Sequence, residues 1–324
     1  MAASEAPPAL LLAAGLGTRL RPLSSVRAKP AVPVNGRPLA RRILSWLASH
    51  GIDDAVVNLH HRPETVAAVI GDGWDLGLRV RYSWEQPVLG SAGGPRHALP
   101  LLTDGRDGPF LIVNADTLST VDITGLLARH AAAHAAVTMA LIPNPEPLKY
   151  GGVQVSSDGY VTGFSRPGTP GESFHFVGVQ AAEARAFAAL EDGVPAESVN
   201  ALYPRLMGGE PAAIAAFVSD ASFSDIGTPR DYLETSLALA AIEGDQLVSQ
   251  DRVSIHASAA VERTVVWDDV SIGRDVHLLD CIVGDGVRVP DGAAFERCVI
   301  VRQGACAPAA DERVEGNLLI RSIR

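Results

Sequence analysis

The sequence predicts an α/β protein in which a mostly parallel sheet is flanked by helices and followed by a short parallel β-helix. Three observations carry this. First, short apolar runs alternate with helical stretches from Ala9 to about Ile142, the β-α-β-α pattern that gives a parallel, Rossmann-like sheet. Second, the apolar run Ala9 to Ala14 breaks at Gly15 and Gly17, so a strand leads into a glycine turn on the rim of that sheet. Third, apolar residues after Gly244 recur at multiples of six, at Val270, Val276 and Ile282 and again at Ala293 and Val299. A six-residue recurrence means a three-sided parallel coil with one inward side chain per face. The expected division is residues 1–244 and 245–324.

Ala9–Ala14, Ala55–Leu59, Leu78–Ser83, Phe110–Asn114 and Val137–Ile142 read as strands. Pro38 to His50 reads as a helix with Leu39, Ile43, Leu44 and Leu47 on one face and Gly51 as its stop. Pro63–Ile70, Pro95–Leu102 and Asp122–His134 supply further helices. Gly152–Ser156, Tyr160–Phe164 and His175–Gln180, with glycine-rich turns, predict an antiparallel patch. Helices return at Glu183–Leu190, Ser198–Met207 and Pro229–Ile242, the last with Thr228 as N-cap. In the coil, Trp267 and Pro290 interrupt the repeat. Cys281 and Cys298 stand about one coil apart, which predicts stacked free thiols.

Bulk properties narrow the function. Of 324 residues, 47% are hydrophobic and 20% charged, which suits a large packed core. A net charge of -10 argues against general nucleic-acid binding, so clustered cations need a local anion. No apolar run approaches the ~20 residues of a membrane helix. Met1 to Pro8 does not read as a secretory signal, and three cysteines, Cys281, Cys298 and Cys306, fit a reducing cytoplasm.

Arg19, Arg21 and Lys29 follow the glycine turn closely, in Gly15-Leu-Gly-Thr-Arg-Leu-Arg-Pro and Ala28-Lys-Pro-Ala-Val-Pro-Val34. Glycine amides and cations together form a cradle for a nucleoside triphosphate. No Gly-Lys-Ser/Thr ending follows, which excludes the P-loop. Leu20 stands where a dinucleotide loop needs a third small residue. Asp116 ends the buried run Phe110-Leu-Ile-Val-Asn-Ala-Asp116, where a carboxylate requires a cation; Mg²⁺ is the natural one beside phosphate.

With those residues in view, Leu12 to Leu39 resembles the signature of sugar-1-phosphate nucleotidylyltransferases, also called nucleotide-sugar pyrophosphorylases. The resemblance extends over about residues 9–240. It is nearest to guanylyltransferases for mannose-1-phosphate or a heptose-1-phosphate and to N-acetylmuramate-1-phosphate uridylyltransferase. It implies attack of a sugar 1-phosphate on the α-phosphate of an NTP, with pyrophosphate leaving. Residues after Gly244 resemble the left-handed hexapeptide repeats appended to some members; a segment this short suits self-association by burying an apolar face better than catalysis.

The resemblance assigns roles residue by residue. Ala13, Ala14, Gly15, Gly17, Thr18 and Arg19 would hold the nucleotide, with Arg19 on the leaving group. Lys29 would reach the α-phosphate or the sugar phosphate. In Trp84-Glu-Gln-Pro-Val-Leu-Gly-Ser-Ala-Gly-Gly94, Glu85 suits guanine, Gln86 suits uracil or thymine, and Gly90 and Gly93 allow close approach. Asp116 and Asp225 would be the metal carboxylates for Mg²⁺. Asn114, Tyr150, Gly151, Arg166 and Gly178 would lie on the sugar-phosphate side. There the chain departs from the family pattern: Ser165 replaces a glutamate, Arg166 a lysine, and Phe176-Val-Gly178 stands where an Asn or Ser often precedes the glycine.

GTP with mannose- or heptose-1-phosphate is the leading expectation, and UTP with an amino sugar or N-acetylmuramate 1-phosphate the alternative. A non-catalytic homologue would have lost Arg19, Lys29 or an aspartate. An acyltransferase would want a longer coil and a catalytic histidine, for which only His256 and His277 are available. His130 and His134, four apart on an alanine-rich helix, are expected on a solvated face, and His60-His61 in a loop near the rim.

Overall fold

The computed structural model describes residues 6–104, 108–304 and 308–323; Cys306 lies outside them. The chain divides into two compact units. One joins the segment ending at Gly15 to Ala40–Phe223; the other joins Leu16–Leu39 to the chain from Ser224 onward.

The first unit holds a nine-stranded sheet: β1 (Ala9–Leu12), β2 (Asp54–Leu59), β3 (Arg79–Trp84), β4 (Pro109–Asn114), β5 (Val137–Pro143), β6 (Gly152–Val155), β7 (Val161–Ser165), β8 (Phe174–Glu183) and β9 (Ile214–Val218). The main path runs β7-β6-β8-β4-β1-β2-β3, with β5 pairing β8 and β9. β1 is parallel to both β2 and β4, and β2 to β3. β8 runs antiparallel to β4, β5 and β6, and β6 to β7, which is the antiparallel patch expected. Chain order reverses between β1 and β4, where Leu12 stands opposite Asn114. Ligands of open α/β sheets bind at the carboxyl ends of strands at such a switch point.

Strand periodicity decides what faces what. Leu10, Val56 and Ile112 pack with Ala92, Ala98 and Leu102 of helix α3 (Gly90–Thr103) and with Phe110, Phe187 and Tyr203. Each fully buried aromatic here contributes about 2–3 kcal/mol. Helix α1 (Leu39–Ser49) matches its expected range closely, and α2 (Pro63–Ile70) matches it fully. Two expectations change. Glu183–Leu190 is no α-helix: β8 runs through Glu183 and a single 3-10 turn, Ala184–Ala186, follows. Ala186 and Phe187 are buried beside the sheet, so tertiary packing overrides the segment's helix propensity. The helix expected from Pro95 begins five residues earlier, at Gly90.

Helix α4 (Ile123–Ala133) is capped by Asp122, which accepts from the Thr124 amide. His130 on it is buried and meets Thr138 Oγ1 at 2.8 Å, so it is not on a solvated face. Burial lowers its basicity, opposed by Glu183.

In the second unit, helix α5 (Pro229–Glu243) starts at a capping box in which the Thr228 hydroxyl and the Asp231 carboxylate each take the other's backbone amide. The coil follows. Strands begin at Ser271, His277, Ile282 and Arg288, steps of 6, 5 and 6 residues. One turn is therefore 17 residues, as the parallel register Ser254–Ser271–Arg288 shows. The sixfold recurrence holds along two sides and shortens on the third. Corners repeat at the same interval: Arg263, Asp280 and Arg297 all have left-handed backbone. Ion pairs link successive corners, Arg263 to Asp280 at 2.7 Å among them. Cys281 and Cys298 stack one turn apart, buried and free, and Trp267 is wholly buried. Leu318–Ser322 pairs antiparallel to Cys298–Arg302 and ends the parallel stack, giving its last strand a partner.

Candidate active site

Within the sheet unit, the turn after β1 is held by a buried polar chain. Asn58 Oδ1 accepts from the Ala13 amide at 2.6 Å and from Ala14 at 3.3 Å. Asn58 Nδ2 donates to Glu85 Oε1 at 2.6 Å, and Glu85 Oε2 accepts from the Leu89 amide at 2.7 Å. Glu85 is 4% exposed and Asn58 1%. A buried carboxylate is tolerable because each oxygen is hydrogen-bonded. A Cβ at Gly94 would lie 2.6 Å from Glu85 Oε1, so α3 comes that close only with glycine there.

This arrangement changes how several expected nucleotide residues read. The amides of Ala13 and Ala14 face Asn58. Glu85 turns its carboxylate to Asn58 and α3, whereas its neighbour Gln86 is exposed, as is Trp84. Gly90 and Gly93 lie within α3 against the chain at 194–197: a Cβ on Gly90 would meet the Ala196 carbonyl at 2.8 Å, and the Gly93 amide already donates to that carbonyl. Among the described residues, no protein acceptor meets the backbone N–H groups of Gly15, Leu16, Gly17 or Thr18. Gly17 is left-handed at φ 61°, a conformation that favours glycine.

At the end of β4, Asn114 and Asp116 are half-buried. β8 shifts register between Phe176 and Gln180 opposite this point. Gly178 sits in the shift at φ 81°, and a Cβ there would lie 2.9 Å from the Asn114 Cβ. Tyr150 packs on His175, ring centroids 4.4 Å apart, and both meet Phe223. Burial pushes the His175 imidazole down to about 4, so it is neutral at physiological pH. A Cβ on Gly151 would lie 3.0 Å from the Ser165 carbonyl, and Arg166 is exposed with no ion pair among the described residues. Sequence reasoning missed His175 and Asn58; an asparagine inside an otherwise apolar strand was the available signal for the second.

In the second unit, Asp225 brings Arg19 and Lys29 together. Its two oxygens lie 4.0 Å from Arg19 Nη1 and 4.0 Å from Lys29 Nζ. Those are ion-pair separations longer than a hydrogen bond. Arg19 is 64% exposed at the side chain, whereas Lys29 is 9% and Asp225 8%. The chain contains two lysines in all, Lys29 and Lys149, so a buried lysine is a deliberate exception to an arginine-rich surface. A Cβ on Gly227 would lie 2.6 Å from Asp225 Oδ2 and 3.0 Å from Arg19 Nη1. Among the described residues no cluster of three or more His, Cys, Asp or Glu could hold a metal ion by itself. No helix among them is long and apolar enough to cross a membrane.

The family model for nucleotidyl transferases matches residues 8–242, and that for the GlmU-like C-terminal hexapeptide matches residues 240–295. Mannose-1-phosphate guanylyltransferase of Mycobacterium tuberculosis is 29% identical over 300 residues, 89% of this chain and 83% of that one. D-glycero-alpha-D-manno-heptose 1-phosphate guanylyltransferase of Aneurinibacillus thermoaerophilus is 31% identical over 69% of this chain and 94% of its own. N-acetylmuramate alpha-1-phosphate uridylyltransferase of Neisseria meningitidis is 35% identical over 62% and 84%. The crystal structure of HddC from Yersinia pseudotuberculosis shares the fold, with a TM-score of 0.63 at 20% identity over 72% of this chain and all of that one. This chain is an enzyme of the nucleotidyl transferase family.

Proposed function

We propose that this enzyme transfers a nucleotidyl group from GTP to mannose-1-phosphate or a heptose-1-phosphate, releasing pyrophosphate and forming an NDP-sugar. The observation that carries the reaction class is the run of amides from Gly15 to Thr18, without protein acceptors among the described residues, leading into a segment where Arg19 and Lys29 flank Asp225. Backbone amides without protein acceptors, followed by two cations, suit a polyphosphate.

In this reading an oxygen of the sugar 1-phosphate attacks the α-phosphorus. The bond from that phosphorus to the bridging oxygen breaks, and the electron pair leaves on pyrophosphate. Both partners are anions, so the protein's work is positioning and neutralisation. Arg19, exposed at 64% of its side chain, takes the leaving pyrophosphate. Lys29, buried and fixed, holds the α-phosphate or the incoming phosphate. Arg166 offers a bidentate fork to the sugar phosphate.

By the family resemblance, Asp116 and Asp225 are the carboxylates assigned to a divalent cation. Carboxylate oxygens are hard ligands of the kind Mg²⁺ takes, beside phosphate and water. When bound, it supplies further charge neutralisation to the polyphosphate.

GTP is favoured because the guanylyltransferase of M. tuberculosis matches through the coil as well as the sheet. UTP with N-acetylmuramate or amino-sugar 1-phosphate is the second reading, favoured by the exposed Gln86 and the higher identity to the N. meningitidis enzyme. Comparing kcat/KM for GTP and UTP, each with mannose-1-phosphate, heptose-1-phosphate and N-acetylmuramate 1-phosphate, tests it. A ratio favouring GTP by at least tenfold is expected; a ratio favouring UTP selects the second reading.

A further inference from the structure

The segment carrying Arg19 and Lys29 is tied along its length to the chain beyond Gly244, within the second unit. Arg27, two residues before Lys29, has a side chain only 15% exposed. Its guanidinium grips Asp285 with both prongs, Nε to Oδ2 and Nη2 to Oδ1, each at 2.7 Å. Nη2 also donates to Asp268. Asp268 and Asp285 occupy the same place on successive 17-residue turns, and the Asp268 amide donates to Asp285. The guanidinium lies 5.3 Å over the Trp267 ring, whose Nε1 donates to Tyr232 Oη at 2.9 Å; that hydroxyl in turn donates to the Pro33 carbonyl. Two further ties lie on either side. Arg321 Nη1 donates to the Arg21 carbonyl at 2.6 Å, and Asn35 Oδ1 accepts from the Gln246 amide at 2.9 Å.

We propose that the β-helix is a brace for the catalytic segment, with Arg27 as the positioning residue that fixes the height and aim of Lys29. The catalytic consequence rests on the proposed function; the mechanical claim does not. Self-association alone would not require a buried arginine forked onto two turns of the coil, nor hydrogen bonds at Arg21, Pro33 and Asn35. A bidentate guanidinium–carboxylate contact fixes orientation as well as distance, which a lysine could not reproduce. The segment between these anchors includes Leu23–Ser25 and Lys29–Ala31, two single 3-10 turns with little stability of their own. Arg27 acts through Lys29 and touches no substrate.

The presence of only two lysines makes the test clean. Amine acetylation of the whole, substrate-free chain, followed by peptide mass spectrometry, gives the labelling rate of Lys29 relative to Lys149. In Arg27→Ala the brace predicts a rise in that ratio of about tenfold, and in Asp285→Asn about threefold, through local opening. Where the wild type releases pyrophosphate, kcat should fall about 10- to 100-fold in Arg27→Ala. Arg27→Lys should restore the thermal midpoint more fully than kcat. An unchanged labelling ratio in folded Arg27→Ala overturns the brace. Should that variant not fold, the near-isosteric Asp285→Asn decides alone, and an unchanged ratio there overturns it equally. A wild type silent with every substrate pair defeats the proposed function while the labelling ratio still judges the brace.

Discussion

The Glu85 carboxylate and the Asn58 side-chain amide meet at 2.6 Å in the interior of the sheet unit, and through Asn58 the pair fixes the Ala13 amide at the end of the first strand. Glu85→Gln places an amide N–H₂ against the Asn58 N–H₂ or the Leu89 N–H. The expected loss is about 2–3 kcal/mol, read from urea unfolding. A Glu85→Gln protein with unchanged stability and an altered GTP-to-UTP preference would instead mark Glu85 as a reader of the base.

Gly227→Ala tests the geometry around Asp225. The added methyl would displace Asp225 Oδ2 and Arg19 Nη1, which are side-chain ends able to swing aside. Stability should fall by less than about 1 kcal/mol, whereas kcat falls on the order of 10²-fold, because a shift near 1 Å spoils a positioned charge. Thermal melting and steady-state kinetics separate the two; wild-type kcat would contradict the arrangement.

His175 gives the pH dependence. Its folded value of about 4 lies below an unfolded value near 6.5, so the unfolded chain binds the proton first as pH falls. This group therefore lowers stability progressively between about pH 6.5 and 4 and contributes nothing above. His175→Phe should flatten the melting profile in that window. An NMR titration placing His175 near 6.5 would contradict its burial against Tyr150 and Phe223.

Burial pushes the Cys281 thiol up to about 11. Alkylation by iodoacetamide at pH 8, mapped by peptide mass spectrometry, should be at least about 100-fold slower at Cys281 in folded than in denatured protein. Comparable rates would mean that the coil interior opens readily.

Which features were legible in the sequence follows from how locally each is determined. β1, β2 and β4 are apolar runs that only a buried strand explains, and Thr228 declares its cap within four residues. The start of α3 was hidden because Gly90, Gly93 and Gly94 look like a loop; they are helical because the chain at 194–197 and the Glu85–Asn58 pair press against them. Glu85 resembled a base reader by its local wording, and its partner lies 27 residues away. The 17-residue turn was masked because sixfold spacing is true of two sides. Arg27 passed unnoticed between Arg21 and Lys29, since its partners lie 241 and 258 residues on. The Asp268–Asp285 interval was the signal that could have found it.

The proposed roles of Arg19, Lys29, Asp116 and Asp225 all meet in one pyrophosphate-releasing reaction. Pyrophosphate release by the purified chain with Mg²⁺, across nucleoside triphosphates and sugar 1-phosphates, for wild type and Asp116→Asn, tests them most directly. The expected result is release that requires both substrates together, strongest with GTP and mannose- or heptose-1-phosphate, and reduced at least about 10²-fold in Asp116→Asn. No release with any pair, or Asp116→Asn working as well as wild type, would contradict them.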